Sequence, residues 1–349
     1  MATKKSPATI SDVARRSGVS LATVSKALSL KPLSGEVSAT TRARVQAAAR
    51  ELGYAADWRT RRLASRRTRT IGLVYAQATP LLGGVYQTLI PALAAAITAH
   101  DYRLVLAPTP DGIASWEEVM RQFQLDGCIA CEPLPSDAAA WAPGEHLPVV
   151  AINVAAGPSL SQVQADDARS AEIAVEHLAA LGHRRLAYFS PGIGTHPSIP
   201  ARAAGFNAAV QRLALAGTVI TLPCRDGETG DALAGRGLPA ASGFIAYNHL
   251  VARGVFHTCM AVGLRIPEDC GLVSCDDVSA LTYPVPTITA VRVPVAAMGD
   301  AAAKLLIDCI EGRAKPTGQR LLLAGDLIQR GSTVAWHEPV STPRRKRLK

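Results

Sequence analysis

The stretch at residues 10–28, ISDVARRSGVSLATVSKAL, decides the fold of the first part of the chain. Apolar residues recur at helical spacing on both sides of a turn at 17–20, with Ile10, Val13 and Ala14 before the turn and Val24, Ala27 and Leu28 after it. The turn itself contains a glycine and a serine suited to capping a second helix. Two short helices joined in this way form a helix-turn-helix, although the same pattern also occurs as a plain corner inside a larger helical fold.

Positive charge is concentrated at the two ends of the chain. Residues 1–70 hold 15 Lys or Arg against four acidic residues, and the last six residues, RRKRLK, add five more positive charges. Residues 71–343 hold 17 Lys or Arg against 24 acidic residues. A basic head on an acidic body is typical of a nucleic-acid-binding module joined to a domain that does not bind nucleic acid. The charge distribution therefore favours the helix-turn-helix interpretation.

Composition predicts a globular protein without a membrane partner. The chain has 349 residues, 48% of them hydrophobic, which suffices for two or three domains with substantial cores. No apolar run approaches the roughly 18 residues that a membrane span needs. The opening residues, MATKKSPATI, carry lysines without an apolar stretch behind them, so we expect no secretory signal and a cytoplasmic location.

The cysteines predict neither a disulfide framework nor a metal site. Seven cysteines are scattered along the chain, an odd number that argues against systematic pairing. The CxxC pair, Cys128 and Cys131, lies in a segment that reads as a buried strand, where positions three apart face opposite sides. We therefore expect core cysteines and no cofactor.

The chain divides into four segments by pattern. A third helix, capped by Ser38 and ended by Gly53, completes a compact head at 1–54. The arginine-rich segment at 55–70 cannot bury a core and predicts a linker. From 71 to 338, short apolar strand candidates alternate with helical segments in two series, which predicts two parallel-sheet α/β subdomains with a cleft between them. Residues 339–349 form a basic tail.

These segments resemble a known family. The stretches TISDVARRSGVSLATVSKAL, VSATTRARVQAAARELGY and RTRTIGLV, followed in order by EHLAALGHRRLAYFS, ARAAGFNAAV and GLRIPEDCGLVSCDD, resemble the lactose-repressor (LacI) family of bacterial transcription factors. The resemblance implies an all-α helix-turn-helix head and a periplasmic-binding-protein-like body whose chain crosses between subdomains near 163, 292 and 323. It further implies a homodimer on pseudo-palindromic double-stranded operator DNA, controlled by a small-molecule effector.

The resemblance assigns the DNA contacts of the head. It places Leu21, Ala22 and Lys26 against base edges in the major groove, and Ser20, Thr23 and Ser25 against phosphates. Lysine can donate to guanine, whereas leucine and alanine offer only apolar contact, for instance to a thymine methyl group. Ser20 also fits a plain helix cap, and Leu21 also fits core packing. The turn after Leu28 is about three residues longer than the resemblance leads us to expect, so no phosphate contact is assigned there.

The resemblance also assigns a second DNA contact and the effector site. It makes Leu63 a wedge in the minor groove, although Ala56-Asp57 departs from the usual start of the hinge helix. It makes Arg202, Asn248 and Asp276 effector-binding residues, which suit a polyhydroxylated ligand such as a sugar or sugar derivative. Two departures are His249, where the family has aspartate, and Asn153-Val154, where it often has Asp-Arg.

Other functions remain as alternatives. The turn Gly192-Ile193-Gly194 resembles part of a dinucleotide-binding loop, which would suit an NAD-type enzyme, but Pro197 stands where the third glycine belongs. Loss of effector control would leave an effector-independent DNA-binding protein. The sequence as a whole predicts a regulator, with repression the expected mode, that is not an enzyme; induction and co-repression by the effector are both compatible with these residues.

Overall fold

The computed structural model describes residues 8–28, 37–54, 67–76, 84–109, 124–131, 147–154, 156–157, 160–194, 196–225, 228–234, 236–314 and 318–336. The chain divides into two compact units, Met1–Arg69 and Thr70–Lys349.

The described residues of the first unit form three helices: α1 (Ile10–Ser17), α2 (Leu21–Ala27) and α3 (Ala39–Glu51). Each begins at a hydroxyl-bearing cap, with Thr9, Ser20 and Ser38 accepting hydrogen bonds from backbone amides of the first turn. Gly18 ends α1 at φ +65°, a left-handed conformation that suits glycine and turns the chain into α2. The helices share one small core, formed by Val13, Val24, Ala27, Val45, Ala48 and Ala49.

The second unit contains two subdomains. The first has the elements β1 (Thr70–Ala76), α4 (Tyr86–Ala99), β2 (Arg103–Thr109), β3 (Gly127–Ala130), β4 (Val149–Ile152), β5 (Ser161–Ala165), α9 (Val295–Ile310) and β11 (Arg320–Leu323). Its strands form a parallel sheet in the order β11-β5-β4-β3-β1-β2. Apolar clusters lie on both faces of this sheet, as parallel strands require.

The second subdomain has the elements α5 (Asp167–Ala180), β6 (Arg185–Pro191), α6 (Ser198–Arg212), β7 (Ala216–Leu222), α7 (Thr229–Ala234), β8 (Gly243–Ala246), α8 (His249–Ala261), β9 (Gly271–Ser274), β10 (Thr289–Arg292) and β12 (Asp326–Ile328). The sheet order is β12-β10-β9-β8-β6-β7, and β12 runs antiparallel to β10 while the other pairs are parallel. Apart from that one antiparallel pair, the sheets are parallel, as the sequence predicted.

The chain passes between the subdomains at three places. It leaves the first sheet after β5, returns from β10 to α9, and leaves again between β11 and β12. No helix in the described part of the chain is long and apolar enough to cross a membrane.

Candidate DNA-reading surface and effector cleft

Helix α2 presents one face to solvent and buries the other. Val24 and Ala27 are buried in the core of the head, whereas Leu21, Ala22, Ser25 and Lys26 are exposed. Leu21 is 50% exposed, so it does not serve core packing. The face carries a flexible cation, a hydroxyl and two apolar groups, which are the kinds of group that can reach base edges and phosphates in a groove.

Ser20 is the cap of α2. Its Oγ accepts a hydrogen bond from the backbone amide of Thr23 at 3.2 Å, and the two hydroxyls lie 2.9 Å apart. Both hydroxyls lie beside the exposed first turn of α2, so capping leaves them placed where a phosphate contact is predicted. Leu63, the predicted minor-groove wedge, lies outside the described residues, as do the long turn after Leu28 and the basic tail.

Arg202 on α6 is buried and paired. Its side chain is 8% exposed, and its Nη2 lies 2.7 Å from Oδ1 of Asp167, the first residue of α5. Its Nη1 donates to the carbonyl oxygen of Tyr247, and its guanidinium lies 5.0 Å from the centre of the Tyr247 ring. Burial is the largest single influence and opposes the charge, but the Asp167 carboxylate acts together with other nearby groups, Asp276 among them, and the pKa of Arg202 is raised above its usual value.

A chain of hydrogen bonds leads from Tyr247 to the first subdomain. The Tyr247 hydroxyl lies 2.7 Å from Oγ of Ser198, and that atom lies 2.6 Å from Nδ1 of His196. The other ring nitrogen of His196 lies 2.9 Å from the backbone carbonyl oxygen of Asn153, which follows β4. His196 and Ser198 belong to the second subdomain, so this chain joins the two subdomains through side-chain contacts.

Asn248 and Asp276 meet at the start of α8. Asn248 caps this helix, because its Oδ1 accepts from the amide of Val251 at 3.0 Å. Asp276 follows β9 and accepts three hydrogen bonds, from the backbone amide and the ring Nδ1 of His249 and from the Ser274 hydroxyl. The ring contact is 2.6 Å, and both side chains are largely buried. Three hydrogen-bond donors thus fix the position of the Asp276 carboxylate.

The three residues predicted for the effector site therefore gather around one short segment. Arg202 contacts Tyr247, the next residue is Asn248, and His249 holds Asp276. Sequence reasoning did not identify the partners of these groups, Asp167, Ser198, Tyr247 and His196. Their roles follow from tertiary contacts, which the sequence does not show. The acidic pair at the start of α5 could be recognised only as a helix-start signal.

Two pockets lie between the subdomains. The crossover pocket, of about 480 Å³ including its open mouth, is lined from the first subdomain by Asn153, Gln164 and Arg320 and from the second by Asp166, Asp167 and His196. The Asp276 pocket, of about 680 Å³ by the same measure, is lined by Val85 and Thr88 at the start of α4 and by Asp276, Thr282, Arg292 and Arg330.

The glycines of the dinucleotide-like turn serve packing. A Cβ atom on Gly192 would lie 2.5 Å from the carbonyl oxygen of Leu222, and one on Gly194 would lie 2.7 Å from Cδ1 of Ile199. Gly192 also donates its amide to that Leu222 oxygen. Close approach to the backbone of β7 thus accounts for Gly192 without a bound phosphate, whereas the neighbour of Gly194 is the end of a flexible side chain.

Six of the seven cysteines are buried, and Cys309 is partly buried. Cys128 and Cys131 are both buried, and burial raises the pKa of the Cys128 thiol to about 12. Within the described ranges, no group of three or more His, Cys, Asp or Glu side chains could hold a metal ion.

Comparison with known proteins yields the same two modules. Residues 9–57 match the family model "Bacterial regulatory proteins, lacI family", and residues 175–333 match "Periplasmic binding protein-like domain". The HTH-type transcriptional regulator MalR of Streptomyces coelicolor is 31% identical, over 93% of this chain and 96% of the relative.

Two solved structures share the fold. A lac repressor dimer bound to operator and the anti-inducer ONPF superposes with a TM-score of 0.73 at 23% identity, covering 95% of this chain and all of that one. The complex of the transcriptional regulator CelR with cellobiose superposes with a TM-score of 0.65 at 25% identity, covering 93% of this chain and 99% of that one. The predicted fold class, a helix-turn-helix head with a two-sheet α/β body, is confirmed.

Proposed function

Because this chain belongs to the LacI family of bacterial regulatory proteins, we propose that it is a transcriptional repressor that binds operator DNA through its head and a sugar-like effector through its body. The observation that carries the proposal is the two-sided character of α2, which buries Val24 and Ala27 and exposes Leu21 and Lys26. A helix that reads the major groove needs such a face, held at a fixed angle by a small core.

The DNA contacts form two sets. Leu21, Ala22 and Lys26 read base edges, while Ser20, Thr23 and Ser25 contact phosphates and fix the register of the helix. Leu63 in the linker enters the minor groove at the centre of the site, where an apolar wedge unstacks a base step and bends the duplex. The net positive charge of residues 1–70 makes the affinity fall steeply with salt.

The effector binds between the subdomains, near Arg202, Asn248 and Asp276. Both pockets described above are lined from both subdomains, so a ligand in either one changes how favourable their closure is. A ligand shifts the protein between DNA-competent and incompetent forms only through its differential affinity for them. A polyhydroxylated molecule suits the amide, carboxylate and guanidinium groups that line this cleft.

The protein acts as a homodimer, and the exposed apolar residues of the second subdomain support this. Met260 on α8 is 61% exposed, and Tyr283 and Val285 are 76% and 89% exposed. A second subunit would cover exposed apolar side chains of this size. A dimer then presents two copies of α2 to successive major grooves of a pseudo-palindromic site.

The remaining features are consistent with regulation rather than catalysis. MalR is a transcriptional regulator, and the GxG turn is explained by packing, so we assign no enzymatic activity and no cofactor. DNA as the partner implies a cytoplasmic location.

The test is selection of bound sequences from a random duplex pool by the purified full-length protein. The Leu63→Ala variant is selected in parallel, with Leu213→Ala as the control, because Leu213 is a half-exposed leucine on the body. We expect a two-fold symmetric consensus for the wild type and the control, with weaker selection at its centre for Leu63→Ala. A pool without a consensus, retained only at low salt, would contradict the proposed function.

A further inference from the structure

His196 makes a hydrogen-bonded contact between the two subdomains that depends on which ring nitrogen carries a proton. Its Nε2 lies 2.9 Å from the backbone carbonyl oxygen of Asn153, while its Nδ1 lies 2.6 Å from Oγ and 3.3 Å from the backbone nitrogen of Ser198. A carbonyl oxygen only accepts and a backbone amide only donates. The ring is therefore neutral in this contact, with its proton on Nε2 and with Nδ1 as the acceptor.

The partners on both sides of the ring are fixed by further hydrogen bonds. In the first subdomain, Asn153 has a φ of +57° and donates its amide to the carbonyl oxygen of Val163 at 2.9 Å. In the second, Ser198 is 3% exposed, and its hydroxyl lies 2.7 Å from the hydroxyl of Tyr247. Neither partner can move to suit a ring in another protonation state without giving up these bonds.

Protonation of the ring disrupts the contacts at Nδ1. An imidazolium carries an N–H group on both nitrogens, so the backbone amide of Ser198 would lose Nδ1 as its acceptor and face a second donor. The Ser198 hydroxyl, which donates to Nδ1 of the neutral ring, would have to reverse. Ser198 is also the first residue of α6, where the helix dipole disfavours a cation.

The charged groups around the ring are balanced in number. His196 lines the crossover pocket, to which Asp166 and Asp167 contribute carboxylates and Arg320 a guanidinium. The second guanidinium is that of Arg202, which is bound to Asp167. Asn153 and Ser198 carry no charge, and a phenol such as that of Tyr247 is ordinarily neutral below about pH 9. The hydrogen bonds at Nδ1 therefore decide how the contact responds to a proton.

A proton can reach this ring in the range where histidine ordinarily titrates. His196 is only partly buried, and histidine is the side chain that normally changes charge between about pH 5 and pH 8. The form with the contact made binds the proton less readily than a form in which the ring has left Asn153 and faces water. Falling pH consequently shifts the population toward the form without the contact.

We infer that His196 is a proton-sensitive latch between the subdomains, closed while its ring is neutral and released in mild acid, and that it makes operator affinity depend on pH. The latch is a property of the body alone. Its effect on operator affinity rests on the proposed function, in which the closure of the subdomains is coupled to DNA binding.

The latch is tested by amide hydrogen exchange of the full-length protein, read by mass spectrometry at about pH 7.5 and about pH 5.5, the range in which histidine titrates. Each exchange rate is divided by the intrinsic rate at the same pH. Peptides spanning residues 147–154 and 192–206 report on the two sides of the latch. For the wild type, we expect the protection of both peptides to fall about fivefold or more in acid.

Two variants separate the latch from general effects of acid. The side-chain amide of His196→Gln can still donate to the Asn153 carbonyl oxygen but does not titrate, so its protection should change by less than about twofold. His100→Gln replaces an exposed histidine of the first subdomain and should follow the wild type. Equal protection of the wild type at both pH values, or an equal fall in the wild type and His196→Gln, would overturn the inference.

Operator affinity, measured by fluorescence anisotropy on the selected operator at the same two pH values, tests the regulatory consequence. We expect the change in Kd between the two pH values to be at least about threefold larger for the wild type than for His196→Gln. An equal change in both proteins would overturn the regulatory part of the inference. Failure to select any operator would contradict the proposed function, whereas the exchange measurement would still decide whether the latch exists.

Discussion

The ring Nδ1 of His249 lies 2.6 Å from Oδ2 of Asp276, and both side chains are largely buried. The same carboxylate accepts from the backbone amide of His249 and from the Ser274 hydroxyl. His249 also reaches toward the first subdomain, because a Cβ on Gly84 would lie 3.6 Å from its Cε1. One histidine thus holds a buried carboxylate of one subdomain and lies near the edge of the other.

Removal of this histidine should destabilise the body. In His249→Ala the carboxylate keeps two of its three donors, so we expect a loss of about 2 kcal/mol in the free energy of unfolding, measured by urea denaturation. His257→Ala is the control, because His257 is an exposed histidine on the same helix. Equal midpoints for the two variants would show that the 2.6 Å contact contributes nothing to stability.

The buried ion pair of Arg202 and Asp167 should contribute far more to the free energy of unfolding than a surface ion pair does. Asp167→Asn removes the charge opposite a guanidinium that is 8% exposed, and the unpaired buried cation should cost about 3 kcal/mol or more of stability. The comparison is Asp269→Asn, which breaks a pair with the 69% exposed Arg265. Water screens that pair, so only a small change is expected. Similar urea midpoints for both variants would contradict this account of Arg202.

Because Leu21 is exposed, we expect it to contribute to DNA affinity and not to the stability of the head. Leu21→Ala removes a half-exposed side chain, so we expect an unchanged unfolding midpoint for the head and operator affinity about tenfold weaker, or ~1.4 kcal/mol. Fluorescence anisotropy on the selected operator measures the affinity. Val24→Ala is the contrast, because it truncates a fully buried side chain and should lower stability by about 2 kcal/mol. A Leu21 variant that unfolds as easily as the Val24 variant would assign Leu21 to the core.

Local signals predicted the head well. The glycine and serine of the first turn, and Ser38 before the third helix, act as caps that depend only on neighbouring residues. The short apolar strands β3, β4, β8 and β9 were likewise visible because each is buried along its whole length.

Strand β5 shows where sequence reasoning fails. Its segment, SQVQA, contains two glutamines yet is buried throughout. Gln164 donates to the carbonyl oxygen of Val154 at 2.7 Å, and Gln162 donates to that of Ala156 at 3.1 Å. These hydrogen bonds to the loop after β4 satisfy the two side-chain amides, and no local sequence pattern predicts them. The same holds at the cleft, where Arg202 was predicted but its partners Asp167 and Tyr247 depend on tertiary contacts.

Stability of the body should fall in acid because of His183. Its ring is buried, lies 5.2 Å from the ring of Trp336, and has Nδ1 3.1 Å from the Ser242 hydroxyl, while Nε2 has no hydrogen-bond partner among the described residues. Burial, with the nearby His177, lowers the pKa of His183 to about 4. The unfolded chain, with a histidine pKa of about 6.5, takes up the proton first as the pH falls.

The neutral ring therefore contributes fully above about pH 6.5, and its contribution is lost as the pH falls toward 4, by about 2–3 kcal/mol. In His183→Gln the side-chain amide can still form a hydrogen bond with the Ser242 hydroxyl, but it does not titrate. We expect its urea midpoint to change less between pH 7 and about pH 4.5 than that of the wild type. His100→Gln, at an exposed histidine, should follow the wild type. If the His183 variant loses stability in acid as steeply as the wild type, protonation of other groups governs the acid transition.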